Sequence, residues 1–246
     1  MLILLPPSEG KAARGDGPPL DPSRLSFPSL NASRETVLSA LTALCEGPDA
    51  QAVLGLSPGQ LGEIGKNRAL RTAPTLTAGE LYTGVLYENL GLASLPPEAA
   101  ARAAESLVIF SGLWGLLRVT DRVPPYRLSM GVRLPPLGGL GTFWRRSVTP
   151  VLDTEPGLVV DLRSGTYGTA WQPGGRAVAV RVLKDGKVVS HMAKATRGAV
   201  ARSLLRDGSD PQTPEELAKT LDHLGHAVTL GDRPRGRGSW TLDVSV

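Results

Sequence analysis

The chain of 246 residues is 41% hydrophobic and 20% charged, which provides apolar side chains for a buried core and argues against intrinsic disorder. Its 27 basic and 23 acidic residues leave a net charge of +4, so charge alone makes nucleic acid a candidate partner and nothing more. The single cysteine, Cys45, excludes an internal disulfide and any CxxC metal or redox site.

The start of the chain and its apolar runs carry information about location. Residues 1–5 are apolar but too short for the core of a signal peptide, and no basic region precedes them. No apolar run approaches the roughly 20 residues of a membrane-spanning helix. We therefore expect a cytoplasmic protein with no membrane association. We also expect no disulfide partner, and a monomer.

Short apolar runs bounded by turn-forming residues predict strands, and apolar residues at helical spacing predict helices. The predicted strands cover residues 2–5, 107–110, 158–162, 177–183, 188–190, 227–230 and 240–246. The predicted helices cover a segment from the N-cap Ser33 to Cys45, then residues 78–90, 98–105, 142–152, 196–206 and 213–224. Asp185-Gly186 predicts a hairpin turn between two of the strands.

The order of these elements shows no regular strand–helix alternation and no internal repeat. The sequence therefore predicts an α+β fold, a single domain over residues 1–246 with a mixed β-sheet surrounded by helices. The Pro-rich segment 15–28 and the basic segment 233–238 are predicted loops. Cys45 falls on an apolar helix face, which predicts a core residue rather than a redox sensor.

Basic residues are concentrated in two segments. Residues 110–150 carry six arginines against Asp121 alone, a net charge of +5, and residues 176–206 carry eight basic residues against Asp185 alone, a net charge of +7. If the two segments meet in the fold, they form a positively charged cleft, and arginine suits bidentate contacts with phosphate. The alternative is two separate solvated surfaces.

The segment 111–131 is the most unusual stretch of the chain. It leaves a predicted strand through Gly112 and Gly115 and then places Arg118, Asp121 and Tyr126 near two prolines. Loops that leave a strand often build ligand sites, because the sheet holds their polar groups in place. The alternative is a tight structural corner with an internal Arg118–Asp121 pair.

Three further segments present candidate polar groups. Ser8 and Lys11 follow the first strand, where a hydroxyl and an ammonium could hold an oxyanion or a phosphate. Lys194 and Arg197 lie three residues apart, so a helix would place them on one side, although an ordinary surface helix is the alternative. The segment 54–61 fits either the hairpin of a helix-hairpin-helix element or a plain packing corner.

Metal ligands are scarce in this sequence. The chain has three histidines and one cysteine, and the pair His223 and His226 adjoins a glycine that ends the predicted helix. We therefore predict no metal site and no cofactor.

These blocks together resemble the YaaA family of peroxide-stress-response proteins over nearly the whole chain. The most specific part is the sequence SGLWGLLR at 111–118, continued by Asp121 and by PYRLSMG at 125–131. The supporting blocks are Ser8 with Lys11, Tyr82-Thr83-Gly84, Phe143-Trp144, Tyr167, and Ala193-Lys194 with Arg197-Gly198. The resemblance implies a cytosolic DNA-binding protein that limits oxidative damage, with a positively charged cleft and a helix-hairpin-helix element.

The first functional hypothesis is a DNA-binding protein of the peroxide stress response that contacts double-stranded DNA or another nucleic acid largely independently of sequence. Its predicted nucleic-acid-binding residues are Lys11, Arg118, Arg122, Arg127, Arg133, Lys194, Arg197 and Arg202. Its predicted pocket residues are Ser8, Tyr82, Thr83, Ser111, Tyr126 and Tyr167.

The second hypothesis is an enzyme acting on a nucleotide or nucleic acid in the same cleft. Its candidate catalytic residues are Ser8, Lys11, Asp121, Tyr126 and Lys194. A small closed pocket would favour catalysis, and an open basic groove would favour binding. A third hypothesis, iron held by carboxylates alone, has little support in the ligand inventory.

Overall fold

The computed structural model describes residues 1–188, 191–233, 236 and 238–246. They form a single α/β domain in which a mixed sheet is flanked by helices. The strands are β1 (Leu2–Leu5), β2 (Leu76–Thr77), β3 (Leu107–Ser111), β4 (Gly115–Leu117), β5 (Arg122–Val123), β6 (Arg133–Leu134), β7 (Gly138–Gly139), β8 (Val159–Asp161), β9 (Ala177–Lys184), β10 (Lys187–Val188), β11 (Val228–Leu230) and β12 (Trp240–Ser245). The helices are α1 (Asn31–Glu46), α2 (Ala50–Leu54), α3 (Gly62–Arg68), α4 (Ala78–Leu81), α5 (Val85–Leu90), α6 (Pro97–Ser106), α7 (Leu140–Leu152), α8 (Gly165–Gly168), α9 (His191–Asp207) and α10 (Pro214–His223).

The main sheet has the strand order β11-β12-β9-β8-β1-β3-β4, and β10 forms a hairpin with β9. Its centre is parallel, because β1 pairs in parallel with β3 and β8, and β9 pairs in parallel with β8 and β12. The outer strands β4 and β11 are antiparallel to their neighbours. The parallel centre makes the domain α/β, which corrects the predicted α+β class while confirming the mixed sheet.

Strand β1 lies inside the sheet, between β8 and β3, and all four of its residues are buried. A parallel strand covered on both faces has a continuous apolar sequence rather than an alternating one, which explains the run Leu2-Ile3-Leu4-Leu5. The aliphatic strands and three buried tryptophans, Trp114, Trp144 and Trp171, contribute to one core.

The chain changes direction across the sheet at β1. It passes from β1 through the first six helices to β3 on one side, and after β4 and α7 it returns to place β8 on the other side of β1. The segments that follow β1 and β8 therefore leave the same edge of the sheet side by side. In open α/β sheets this reversal point is where ligands bind, outside the carboxyl ends of the strands.

Most predicted elements are present, and the largest difference is the helix predicted over residues 78–90. It is two short helices, α4 and α5, with an extended Tyr82 between them. The backbone of Tyr82 pairs with that of Lys11, and Gly84 has a φ of 94°. Tertiary pairing to the segment after β1 thus overrides the local helical pattern.

The hairpin prediction at Asp185-Gly186 is confirmed, because these residues have φ values of 52° and 73° and connect β9 to β10. Positive φ at both positions is what a type I′ turn requires. The predicted strand 188–190 lies outside the described residues except for Val188, which ends β10.

Cys45 is fully buried on α1, which confirms its prediction as a core residue. Burial raises the pKa of its thiol. No described helix combines the length and the apolar character needed to cross a bilayer.

Candidate functional site

A cavity of about 450 Å³ opens at the reversal point of the sheet. Residues 6–10, which follow β1, form one wall, and Ser164, Thr166 and Tyr167, which follow β8, form another. The start of α5 and one side of α9 complete it. We call this cavity the switch pocket.

The switch pocket receives two basic side chains from α9, Lys194 and Arg197. They are three residues apart, so they lie on the same side of this helix. Lys194 is exposed and Arg197 is partly buried. The Arg197 Nε is buried without a hydrogen-bond partner among the described residues. The pocket is therefore lined by two positively charged side chains, which suits an anionic ligand.

Burial shifts the pKa of two side chains that line the switch pocket. It lowers the pKa of Arg197, and the carboxylate of Asp161 partly opposes this effect. Burial likewise raises the pKa of the Tyr167 phenol, while hydrogen bonds with Met130 and Ser129 oppose the rise. The phenol therefore stays protonated at neutral pH, and it can donate a hydrogen bond to a ligand.

Gly84 and Ser8 lie close together in the wall of the switch pocket. A Cβ added to Gly84 would lie 3.2 Å from the Ser8 Oγ, and Gly84 already needs a positive φ. The Tyr87 hydroxyl donates a hydrogen bond of 2.7 Å to the Pro6 carbonyl, which fixes the turn after β1 to α5. A residue with a side chain at position 84 would therefore disturb this wall of the pocket.

A second cavity of about 270 Å³ lies beyond Glu9 and Gly10, which line both cavities. We call it the lysine pocket, since Lys11 lines it together with Glu63, Lys66, Tyr126 and Arg127 among others. Two ion pairs surround it, Arg127 with Glu9 at 2.6 Å and Lys66 with Glu63 at 2.6 Å.

Lys11 is held by backbone and by aromatic rings. Its Nζ donates a hydrogen bond of 2.6 Å to the Ser8 carbonyl. The same atom lies 4.8 Å from the ring centroid of Tyr126 and 5.7 Å from that of Tyr82. Burial lowers the pKa of this ammonium to about 8, and the nearby carboxylate of Glu9 opposes that change.

A chain of three buried hydroxyl groups lies beneath Lys11. The Ser111 Oγ is 2.7 Å from the Tyr126 hydroxyl, which is 2.8 Å from the Tyr82 hydroxyl. The Ser111 Oγ also accepts hydrogen bonds from the backbone N–H groups of Leu113 and Trp114. Burial raises the pKa of both tyrosines, so these phenols remain neutral.

The remaining predicted pocket residue, Thr83, is exposed beside this group. Its backbone N–H donates to the Gly10 carbonyl at 3.1 Å. The structure therefore brings seven of the predicted residues to two adjoining cavities. Ser8, Tyr167, Lys194 and Arg197 line the switch pocket, and Lys11, Tyr126 and Arg127 line the lysine pocket.

Asp121 is placed away from both cavities. Its Oδ1 accepts two hydrogen bonds from Ser26, and its Oδ2 accepts one of 2.8 Å from the backbone N–H of Arg118. The Arg118 guanidinium donates to the carbonyls of Glu105 and Leu107. This geometry fits the hypothesis of a structural corner. Within that corner, Asp121 contacts the backbone of Arg118 rather than its guanidinium.

Three other predicted basic residues also lie outside the linings of the two cavities. Arg122 contacts Asp16 and the Thr75 carbonyl. Arg202 donates to the carbonyls of Leu90 and Gly91, each at 2.9 Å. Arg133 is exposed on β6. The guanidinium groups of Arg122 and Arg202 thus bind backbone carbonyls. Fewer basic residues can therefore face a ligand than the sequence suggests.

The segment proposed as a helix-hairpin-helix element joins α2 to α3. Gly55 has a φ of 64°, and a short 3₁₀ turn, Pro58–Gln60, follows it. Ser57 and Gln60 form a capping box at this turn, which explains the local sequence without a ligand. A role in DNA binding for this segment stays a prediction.

Several residues at the two cavities were not singled out in the sequence. Glu9, Glu63 and Tyr87 contribute to the walls, and Ser164 and Thr166 follow β8. The sequence could have indicated Ser164 and Thr166, because polar residues directly after a buried parallel strand often face a ligand site. Nothing in their spacing indicated that Glu63, on α3, would line the same cavity as Glu9.

Comparisons with known proteins identify the family to which the chain belongs. The sequence profile described as "Peroxide stress protein YaaA" matches residues 1–229. A UPF0246 protein of Streptomyces coelicolor is 53% identical, over all of this chain and 98% of its own length. A UPF0246 protein of Corynebacterium glutamicum is 42% identical over 99% of this chain and all of its own. An uncharacterized protein of Campylobacter jejuni is 31% identical over 80% of this chain and 82% of its own. The chain therefore belongs to the peroxide stress protein YaaA family.

Proposed function

We propose that the protein binds nucleic acid, chiefly double-stranded DNA, in the peroxide stress response, and that a backbone phosphate enters the switch pocket between Lys194 and Arg197. The observation that carries this proposal is that Lys194 and Arg197 both line a cavity on the carboxyl edge of the sheet, and that the buried Arg197 Nε has no hydrogen-bond partner among the described residues. Phosphate contacts of this kind position a duplex without reading its bases.

The other predicted basic residues refine the proposal. Arg118, Arg122 and Arg202 already donate to backbone carbonyls, so moving them to a phosphate would break those hydrogen bonds. The contact surface that we propose is therefore small and centred on the switch pocket, with Arg127 and exposed Arg133 as outer contacts.

The test is fluorescence anisotropy of labelled duplex DNA over a series of salt concentrations. Lys194→Gln and Arg197→Gln should each weaken binding to every duplex sequence by a similar factor. Each should also reduce the salt slope by about 1, since one phosphate contact is lost. The matched control is Lys219→Gln, which removes the same charge from an exposed position on α10. Unchanged affinity in both pocket variants would contradict the proposal.

The second candidate is an enzyme that acts on a nucleotide or on nucleic acid in the same pocket. A cavity of about 450 Å³ at a sheet reversal point favours it, because such a volume is typical of small-molecule sites. Of the predicted acid–base groups, Lys194 lines this pocket, whereas Asp121 and Tyr126 do not. Lys194 would then act with the protonated Tyr167 phenol.

Competition distinguishes the two candidates. Nucleoside mono- and triphosphates should displace labelled DNA from the wild type if the pocket holds a whole nucleotide. Inorganic phosphate alone should displace it only weakly. If DNA binds and no nucleotide competes, the pocket holds a backbone phosphate and the first candidate stands alone.

A further inference from the structure

We propose that Lys11 is an amine nucleophile that forms an imine with an aldehyde entering the lysine pocket. This inference is independent of the DNA-binding proposal, because Lys11 lines a different cavity from Lys194 and Arg197. The ligand class is a compound with an accessible aldehyde carbonyl, small enough for a cavity of about 270 Å³.

The placement of the amine is the first support. The segment Gly10 to Ala12 is tied by backbone hydrogen bonds to Leu81 and Thr83, so the Lys11 backbone is fixed. Its Nζ has one hydrogen-bond acceptor among the described residues, the Ser8 carbonyl. An ammonium has three donors. The Ser8 carbonyl and two aromatic faces hold the nitrogen at the cavity wall without a carboxylate bound directly to it.

The protonation state is a second and separate support. Burial lowers the pKa of Lys11 to about 8, so about half of these amines are neutral at pH 8. An ordinary lysine, with a pKa of about 10.4, is neutral in less than about 1% of molecules at that pH. Only the neutral amine has the lone pair that attacks a carbonyl, and desolvation is a recognised way to activate a lysine.

The groups around Lys11 fit each step of imine formation. The Nζ lone pair attacks the carbonyl carbon, a C–N bond forms, and the C=O π electrons move to oxygen, where Arg127 and Lys66 favour the negative charge. A carboxylate such as Glu9 or Glu63 takes one proton from the nitrogen and passes it to that oxygen. A proton from solvent then lets the oxygen leave as water, while the nitrogen lone pair completes the C=N bond of the protonated imine. Water reverses the reaction, so no oxidant or reductant is consumed.

Two sources could present this aldehyde. One is a small free aldehyde, and the other is the ring-opened deoxyribose of an abasic nucleotide in DNA. The chemistry at Lys11 is the same for both, and the experiment has an arm for each.

In the first arm, the full chain is incubated with glycolaldehyde and cyanoborohydride at pH 8, and modified peptides are mapped by mass spectrometry. Cyanoborohydride reduces the imine to a stable secondary amine. The chain has six lysines, and exposed Lys219 serves as an internal comparison. Lys11 should be modified at least tenfold faster than Lys219 at pH 8, and its rate should fall about tenfold for each pH unit well below 8.

In the second arm, a duplex with one abasic site replaces glycolaldehyde. A covalent protein–DNA product that Lys11→Met abolishes and Lys219→Met preserves would support DNA as the source of the aldehyde. Modification by glycolaldehyde alone would support a small free aldehyde. If neither arm modifies Lys11 faster than Lys219, the proposal is overturned. The wild-type peptide map decides this even if Lys11→Met does not fold.

Discussion

The hydroxyl groups of Tyr82 and Tyr126 lie 2.8 Å apart in the buried interior, beneath the Lys11 ammonium. Tyr126 reaches the end of β3 as well, since its hydroxyl lies 2.7 Å from the Ser111 Oγ. One side chain thus joins the strand end to the short extended segment between α4 and α5. This is a structural reason for the unusual sequence around Tyr126.

Tyr126→Phe should therefore destabilise the protein more than an ordinary loss of one hydroxyl. It leaves the buried hydroxyls of Ser111 and Tyr82 without their shared partner, and unsatisfied buried groups cost about 1–3 kcal/mol each. We expect the free energy of unfolding to fall by about 2–4 kcal/mol in urea titrations. The control is Tyr87→Phe, which removes one hydrogen bond to the Pro6 carbonyl and should cost about 1 kcal/mol. Equal losses in the two variants would contradict the shared-partner argument.

The Arg34 guanidinium is almost completely buried on α1 and donates to the carbonyls of Trp114, Leu116 and Ser26. Burial lowers its pKa to about 10. Arg34→Lys keeps a positive charge but cannot reproduce the planar arrangement of donors. We expect a loss of about 2–4 kcal/mol in the free energy of unfolding, measured by urea titration.

The matched control for Arg34 is Arg71→Lys. Arg71 pairs with Glu35 and is half exposed, and exposed ion pairs contribute about 0–1 kcal/mol. Its replacement should change the stability by less than about 1 kcal/mol. If both variants lost the same stability, the burial of Arg34 would not be the cause.

The predictability of this fold differs between its parts for physical reasons. The apolar run of β1 and the turn at Asp185-Gly186 are visible in the sequence, because burial on two faces and positive φ values restrict residue choice locally. The break at Tyr82 was not predictable, because the backbone of the distant Lys11 causes it.

The candidate site shows the same division. Lys194 and Arg197 could be paired from helical spacing alone. Which arginines were engaged by backbone could not be predicted, since the carbonyls that Arg202 contacts are more than 100 residues away in sequence. Local chemistry identified the residue types, and the tertiary fold decided which of them face a cavity.

The lowered pKa of Lys11 also predicts a dependence of stability on pH. Its pKa is about 8 in the folded protein and 10.5 in the unfolded chain, so between these values the unfolded state binds more protons. Stability must then rise with pH through this window. At about 1.4 kcal/mol per pKa unit, the wild type should gain on the order of 2–3 kcal/mol relative to Lys11→Met between pH 7 and pH 10.5.

Urea titrations of both proteins at pH 7, 8.5 and 10 measure this difference. Comparison with the variant cancels the titration of all groups that the two proteins share. A difference that stays constant with pH would mean that Lys11 titrates at its ordinary pKa in the folded protein.

The last prediction concerns Gly198, where α9 crosses α5 and carries Lys194 and Arg197 to the switch pocket. A Cβ built at Gly198 would lie 2.2 Å from the Leu86 carbonyl oxygen and 2.9 Å from the Asn89 Cβ. Both contacts involve atoms close to the α5 backbone, so relief would require the two helices to move apart. Gly198→Ala should therefore destabilise the protein by more than about 2 kcal/mol, typical of overpacking, although alanine is the better helix former. It should also weaken the binding of DNA.

Gly65→Ala provides the matched comparison, because Gly65 lies inside α3 and a Cβ there would meet no atom within 4 Å. The same substitution at that position should stabilise the protein by about 0.5–1 kcal/mol through helix propensity alone. Urea titration and DNA anisotropy of both variants would separate the two effects. We expect the stability to change in opposite directions in the two variants. Both glycines lie inside a helix, but only a Cβ at Gly198 would clash with neighbouring atoms. A stabilising effect at Gly198 would show that α5 and α9 can separate without loss, and the close approach of these helices would then not determine the shape of the switch pocket.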